Sequence, residues 1–314
     1  MGIRLAFLGT PQFAVPSLES LAAAGYGIAG VWTQPDRPRG RGRQITAPPV
    51  KECALRLGLA VHQPEKVRRP EVVETLRGLR LDAMVVVGYG QIIPKSILDI
   101  PPLGILNVHA SLLPRYRGAA PVQWAIANGE ARTGVTTMRI NEGLDTGDIL
   151  LAEETGIGPG ETAPELGERL SRMGASLLID TLRGLEQGTI TPRPQDPSAA
   201  TYAPILRKED GRIDWRRPAA ETLNRLRGFL PWPGAYTSFR GQTLHILRAT
   251  IARPAGIEPG ALAPSQRHLV VTCGAGSAIE LLEVQLEGRK RISAQAFLNG
   301  HHPSRNERLG ELGT

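Results

Sequence analysis

Asn107 and His109 lie two residues apart in Gly104-Ile105-Leu106-Asn107-Val108-His109, an apolar run that reads as a strand. Residues two apart on a strand face the same way, so an amide that is neutral at every pH and an imidazole that exchanges protons near neutrality share one space. Further on, Asn141-Glu142-Gly143-Leu144-Asp145-Thr146-Gly147-Asp148 sets a carboxylate, Asp145, into a glycine-flanked turn. A carboxamide to hold a carbonyl oxygen, an imidazole to relay protons or steady an oxyanion, and a carboxylate to orient the imidazole together suit acyl transfer. The residue types alone leave a second role open, since a strand histidine is often a hydrogen-bonded core residue. The strand closes at Ser111-Leu112-Leu113-Pro114, near a carboxyl end, where open parallel sheets bind their ligands.

The elements that must position these residues alternate. Residues 3–8 read as an apolar strand, 15–24 as a helix stopped by Gly25, and 28–33 as a second strand. Helices near 50–57 and 71–79, the fully apolar strand 83–87 and further strands at 134–140 and 148–154 continue the series. Such strands belong in a mostly parallel sheet covered on both faces, an α/β fold. Thr162-Ala163-Pro164-Glu165 offers a capping box to a helix whose Leu166, Leu170, Met173, Leu177, Leu178, Leu182 and Leu185 recur at helical spacing up to Gly188. Residues 189–204 are rich in proline and read as a linker. Past a helix at 219–227, short runs at 242–249, 268–273 and 278–286 between Gly and Pro turns predict a small β-rich barrel or sandwich. The expected division is a catalytic domain over 1–189, a linker over 190–206 and a second domain over 207–314.

Several chemistries lack their signatures. Gly9-Thr10-Pro11-Gln12-Phe13 follows the first strand without the later glycines of a dinucleotide-binding turn, and no phosphate-binding P-loop, His-Glu-x-x-His or G-x-S-x-G pattern occurs. Cys53 and Cys273 have no paired spacing for zinc or redox work. No apolar run reaches the roughly 20 residues of a membrane span, and the first residues do not read as a signal peptide, so a cytoplasmic protein without membrane contact is expected.

Charge is unevenly spread. Residues 207–314 carry 16 Lys or Arg against 10 Asp or Glu, whereas residues 1–206 carry 21 against 20. A basic domain beside a nearly neutral one suits a polyanionic partner, although the 32 Arg against 5 Lys also fit a compositional bias without function. Arg37-Pro38-Arg39-Gly40-Arg41-Gly42-Arg43 is dense in guanidinium groups, broken by Gly and Pro, and unable to form a helix or bury itself. It reads as a solvated loop or as a contact for phosphates and unstacked bases.

These motifs together resemble the methionyl-tRNA formyltransferases, a branch of the folate-dependent formyltransferase family. The resemblance runs nearly the full length and rests on Phe7-Leu8-Gly9-Thr10-Pro11, Thr33-Gln34-Pro35-Asp36-Arg37-Pro38, Asn107-Val108-His109, the run from Ser111 to Pro121, Gly143 to Asp148, Ile213-Asp214-Trp215 and Pro231 to Tyr236. The Asn-His-Asp set is shared with the wider family and specifies the chemistry; the arginine loop and the second domain narrow the acceptor. The resemblance implies a Rossmann-like formyltransferase domain followed by a smaller OB-like β-barrel domain. It further implies transfer of formyl from 10-formyltetrahydrofolate to the methionyl amine of initiator tRNA, with no metal, in a monomer. By position in the motifs, Asn107, His109 and Asp145 are catalytic. Gly88, Tyr89, Gly90, Gln91 and Ile92 with Ser111, Leu112, Leu113 and Pro114 border the folate, and Arg37, Arg39, Arg41 and Arg43 meet the tRNA. Two alternatives remain at this stage: a formyltransferase acting on a sugar nucleotide or other small amine, and a non-catalytic RNA-binding relative.

Overall fold

Two features of the first half, apolar strands and Gly-stopped helices, set its architecture. In the computed structural model, which describes residues 2–39 (with Arg39 as backbone), 44–254, 258–305 and 307–310, the chain forms two units. The first takes in Met1–Pro121, Arg132–Gly156 and Gly167–Ala203; the second takes in Val122–Ala131, Ile157–Leu166 and Pro204–Thr314.

Along the chain, β1 (Arg4–Gly9) leads through α1 (Val15–Ala23) to β2 (Gly27–Trp32) and the hairpin strands β3 (Arg37–Arg39) and β4 (Gln44–Thr46). Then come α2 (Pro49–Arg56), β5 (Val61–His62), α3 (Pro70–Gly78), β6 (Ala83–Val87), α4 (Lys95–Leu98), β7 (Ile105–His109) and β8 (Arg117–Gly118). After α5 (Pro121–Ala127) follow β9 (Arg132–Arg139), β10 (Ile149–Gly156), α6 (Ala163–Glu186) and β11 (Tyr202–Ala203). One seven-stranded sheet runs β10-β9-β7-β6-β1-β2-β5. Its pairs from β5 to β7 are parallel, while β9 and β10 run antiparallel. The mostly parallel expectation therefore holds, and the antiparallel edge is what an apolar pattern cannot announce. Every residue of β6 is buried, as a strand covered on both faces requires. Leu8, Trp32, Met84, Val86 and Ile105 pack in one apolar cluster with Val73 and Leu76 of α3. The capping box expected at Thr162 forms, with Glu165 accepting from both the Thr162 amide (2.9 Å) and hydroxyl (2.7 Å).

The second unit contains α7 (Ala219–Gly228), then β12 (Ala235–Phe239), β13 (Gln242–Ala252), β14 (Leu262–Pro264), β15 (Leu269–Cys273), β16 (Ser277–Leu286), β17 (Ile292–Ser293) and α8 (Ala294–His301). The strands pair antiparallel in the order β12-β13-β16-β15-β14, with β17 on β16. Buried and partly exposed residues alternate along β12, the signature of a sheet with one packed face. That face closes over Trp215, Phe239, Leu244, Val271, Ile279, Val284 and Phe297. This antiparallel sheet domain agrees with the β-rich expectation for the second half. Its unit also incorporates segments from before residue 190: a Cβ on Gly228 would lie 2.9 Å from the backbone of Gln123 and Ala127. Arg227 donates to the carbonyls of Gly158 and Glu161, each at 3.0 Å.

Candidate active site

His109 is the last residue of β7, and Asn107 lies two residues earlier on the same face. β7 is held between parallel β6 and antiparallel β9, with Asn107 opposite Val86 and Met138, and His109 opposite Thr136. The strand position is thus fixed from both sides. His109 is 6% exposed, and its Nε2 lies 2.9 Å from the carbonyl oxygen of Tyr116. A carbonyl only accepts, so Nε2 carries a proton and Nδ1 is the nitrogen left to gain or lose one. Nδ1 faces Asp145 Oδ2 at 3.7 Å. Of the other histidines, His62 stacks on Trp32 at 4.3 Å and its burial holds its pKa below the usual value, a packing role of the kind that sequence alone also allowed for His109.

Asp145 arrives at this position in a left-handed backbone conformation, φ +51°. Its Oδ2 accepts the amide of Gly118 at 2.8 Å. The turn around it closes on Asn141, whose Oδ1 accepts from the Gly143 amide (3.0 Å) and the Thr146 hydroxyl (2.8 Å). Gly147 has no alternative here, because a Cβ would fall 1.7 Å from the Arg139 carbonyl oxygen. No described residue hydrogen-bonds the Asn107 amide, which is partly exposed.

The loops expected to border the folate leave the same edge of the sheet, one after β6 and one after β7. Gly88 (φ +57°) and Gly90 (φ +82°) bend the first, and a Cβ on Gly88 would meet Pro11 Cγ at 2.9 Å. Tyr89 points its ring into the core, 1% exposed, with burial pushing its hydroxyl up to about 12; its backbone carbonyl takes Thr10 Oγ1 (2.9 Å) and Gln34 Nε2 (3.1 Å). Gln91 accepts the Val67 amide at 2.7 Å, and Ile92 stands 91% exposed. In the second loop Ser111 is fully buried, its hydroxyl donating to the Arg115 carbonyl (2.6 Å) and its own carbonyl accepting from Thr136 Oγ1 (2.7 Å). Leu113 is buried and bonded through its amide to Thr136 Oγ1 at 3.1 Å; Leu112 packs over Gly134, and Pro114 is partly exposed. Tyr89, Gln91, Ser111 and Leu113 thus shape the loops and leave mainly backbone, with Ile92, to face a ligand.

The structure adds residues that the motifs did not single out. Gln195 donates to the carbonyls of Asp145 (2.8 Å) and Gly147 (2.7 Å), and buried Arg117 donates to Gln195 Oε1. For Gln195 the advance signal was a lone Gln among prolines, whereas Arg117 lay without a role in the run from Ser111 to Pro121.

Of the arginine loop, β3 and β4 pair as a separate antiparallel hairpin, Arg37 opposite Thr46 and Arg39 opposite Gln44. Arg37 forms an exposed ion pair with Glu65 at 3.1 Å. Arg41 and Arg43 lie outside the described residues, as does the side chain of Arg39. The hairpin base is tied by Asp36, which accepts from Lys51 (2.6 Å) and Gln63 (2.7 Å). No group of three His, Cys, Asp or Glu among the described residues could hold a metal ion, and no described helix is long and apolar enough to cross a membrane.

Comparison with known proteins adds to this geometry. Residues 3–182 match the formyl transferase family and residues 205–302 the formyl transferase C-terminal domain. A methionyl-tRNA formyltransferase of Solibacter usitatus is 62% identical over 312 residues, covering 98% of this chain and 99% of that one. One from Koribacter versatilis is 55% identical, covering 98% and 99%. Among solved structures, an N-formyltransferase from Helicobacter canadensis in complex with folinic acid and dTDP-3-aminofucose superposes with a TM-score of 0.66 at 19% identity, over 89% of this chain and 98% of that one. A sugar 3N-formyl transferase gives 0.67 at 18% identity, over 92% and 100%. At that identity the two structures speak for the fold.

Proposed function

The chain belongs to the methionyl-tRNA formyltransferase family, and from that premise we propose that it transfers the formyl group of 10-formyltetrahydrofolate to the amino group of methionine on initiator tRNA. The observation that carries the chemistry is the His109 imidazole at the end of β7, its Nδ1 3.7 Å from the Asp145 carboxylate and Asn107 beside it on the same strand face.

In the proposed reaction the neutral methionyl amine attacks the formyl carbon, forming the new C–N bond and a tetrahedral intermediate. The Asn107 amide, which has no hydrogen-bond partner among the described residues, donates to the oxyanion. The attacking nitrogen must lose a proton and the folate N10 must gain one. His109 Nδ1 accepts the first, directly or through water, and Asp145 stabilises the imidazolium by its charge. The same proton then goes to N10, the C–N10 bond breaks and tetrahydrofolate departs. Protons balance without a covalent enzyme intermediate.

The donor fits the loops after β6 and β7: exposed Ile92 offers an apolar platform, and the glycine bends bring backbone close to a flat ring. Arg37, Arg39, Arg41 and Arg43 meet the acceptor end of the tRNA, and the basic second domain meets its body. The division of charge favours tRNA over a sugar nucleotide, which needs no basic domain of about 100 residues. The test is a formylation assay comparing charged initiator tRNA, charged elongator tRNA, free methionine and an amino-sugar nucleotide. Turnover confined to charged initiator tRNA is the expected result; turnover of the sugar nucleotide alone would reject the acceptor, and turnover of none would reject the enzyme.

A further inference from the structure

Arg117 is 4% exposed, and no carboxylate pairs with it among the described residues. A guanidinium taken out of water without a counter-ion is costly, so its contacts must matter to something other than an ion pair. Both its Nε (3.1 Å) and its Nη2 (2.8 Å) donate to one atom, Gln195 Oε1. That fixes which way the amide points. Turned over, Gln195 would press its NH2 against a cation and its oxygen against two carbonyls. As placed, Nε2 donates to the Asp145 carbonyl at 2.8 Å and the Gly147 carbonyl at 2.7 Å, and the charge on its oxygen strengthens both bonds.

The clamp adds a long-range hold to the turn that Asn141 closes from within. Asp145 sits at φ +51°, where a residue with a Cβ is disfavoured. While Gln195 holds the backbone on either side of Thr146, the amide of Gly118, next to Arg117 on β8, holds the Asp145 carboxylate at 2.8 Å. Main chain and side chain of the same aspartate are therefore fixed from neighbouring points. The stretch carrying Gln195 is pinned in turn: Arg193 exchanges both backbone hydrogen bonds with Ile149, at 2.9 and 2.8 Å, and Tyr202–Ala203 pairs with Arg117–Gly118.

We propose that Gln195, oriented and polarised by Arg117, is the positioning residue that sets the Asp145 carboxylate opposite His109. The proposal rests on the formyl-transfer reading of this site. Neither Arg117 nor Gln195 is assigned a contact with substrate; they act through Asp145.

Gln195→Glu is the discriminating variant. It keeps the size and gives Arg117 a carboxylate partner, but it sets an acceptor against two carbonyl oxygens. In the full chain, Gln195→Glu and Gln195→Ala are expected to lower kcat for formylation by about 10- to 100-fold, the scale on which misplaced supporting groups act, with KM for either substrate changed less than about threefold. Deuterium exchange at the Gly118 amide gives a readout independent of turnover: both variants should speed it while β6 amides keep their protection. Wild-type kcat in Gln195→Glu, or an unchanged Gly118 amide in both variants, overturns the proposal. So does uniform loss of protection across the first unit, which would make Gln195 merely structural. If the wild-type chain fails to formylate charged tRNA, the reading of the reaction falls, and Gly118 exchange still decides whether the clamp exists.

Discussion

The turn around Asp145 and the arginine hairpin are both loops at the rim of a sheet, yet they are built in opposite ways. In the turn, Asn141 closes the backbone from inside, Gln195 holds two carbonyls and Gly118 holds the carboxylate. In the hairpin, β3 and β4 form a two-stranded sheet among the described residues, Ile45 is 75% exposed, and Arg37 meets Glu65 in an ion pair with both partners largely in water. Such exposed pairs contribute roughly 0–1 kcal/mol. The contrast follows from what each loop does in the proposed reaction. Charge that develops on one oxygen and one nitrogen must be met within about 0.5 Å, whereas attraction to phosphates acts over a Debye length of about 8 Å and tolerates imprecise placement. A precise site is built from several mutually satisfied hydrogen bonds that converge on one turn, and an electrostatic one from exposed charge such as that of Arg37.

The largest effects should therefore fall on the turn and the strand facing it. His109→Ala and Asp145→Ala are each expected to reduce formylation by about a hundredfold or more, the usual scale for losing a proton relay or oxyanion support, while tetrahydrofolate binding measured by calorimetry stays near the wild-type value. Near-normal turnover in Asp145→Ala would refute the proton route. Gly147→Ala comes next, because its Cβ would enter the space of the Arg139 carbonyl oxygen 1.7 Å away. The turn must shift, and the expected outcome is a kcat reduced about tenfold or more with a stability loss of ~2 kcal/mol in chemical denaturation. If Gly147→Ala matched wild type in both, the turn would be far more pliable than its packing implies.

The same contrast separates what the sequence discloses from what it conceals. Asn107 and His109 could be placed side by side because a strand's period of two is a local rule, and β6 could be recognised because five apolar residues in a row leave little else for a strand to be. The link from Arg117 to Gln195 is a different kind of fact: 78 residues separate the partners, and no period connects them. Prolines at 192, 194, 197 and 204 made their stretch read as a linker, and prolines do exclude helix there. They do not exclude pinning. Gln195, the Arg193 bonds to Ile149 and the Tyr202–Ala203 pairing are all long-range contacts that composition cannot express. Tyr89 shows the reverse limit, since a motif placed it beside the folate but could not tell that its ring turns into the core. The hairpin was legible as exposed and basic, while its pairing as two short strands depended on a register that alternating Gly and Arg do not encode.

On the hairpin, effects should be smaller and of another type. Arg37→Ala and Arg41→Ala are each expected to raise KM for charged tRNA about fivefold, to reduce the slope of log affinity against log salt by about one, and to leave folate binding unchanged. Equal losses for tRNA and folate would remove the division of labour between the two loops.

The smallest effect should come from the hairpin base, where Asp36 is tied to Lys51 and Gln63. Hydrogen bonds from Gln63, and then from Lys51, hold its carboxyl below the ordinary carboxylate value. The charged form is thus favoured by folding, so the contribution of this tie is complete above the ordinary carboxylate value and lost as pH falls through the depressed one. Near neutral pH the tie is intact, and protonation cannot regulate it there. Asp36→Asn mimics the acid state at neutral pH by removing the charge opposite Lys51 while keeping the shape. It is expected to raise KM for charged tRNA only about twofold, since the partners are partly exposed and screened. The Gln63 side-chain amide, which also donates to the Gln34 carbonyl at 2.9 Å, serves as the reporter. Its NMR signal should move on acidification of the wild-type chain and stay in place in Asp36→Asn. A signal that moves equally in both would mean that another group governs the hairpin base, and that its attachment depends on the backbone around Gln34 rather than on the Asp36 charge.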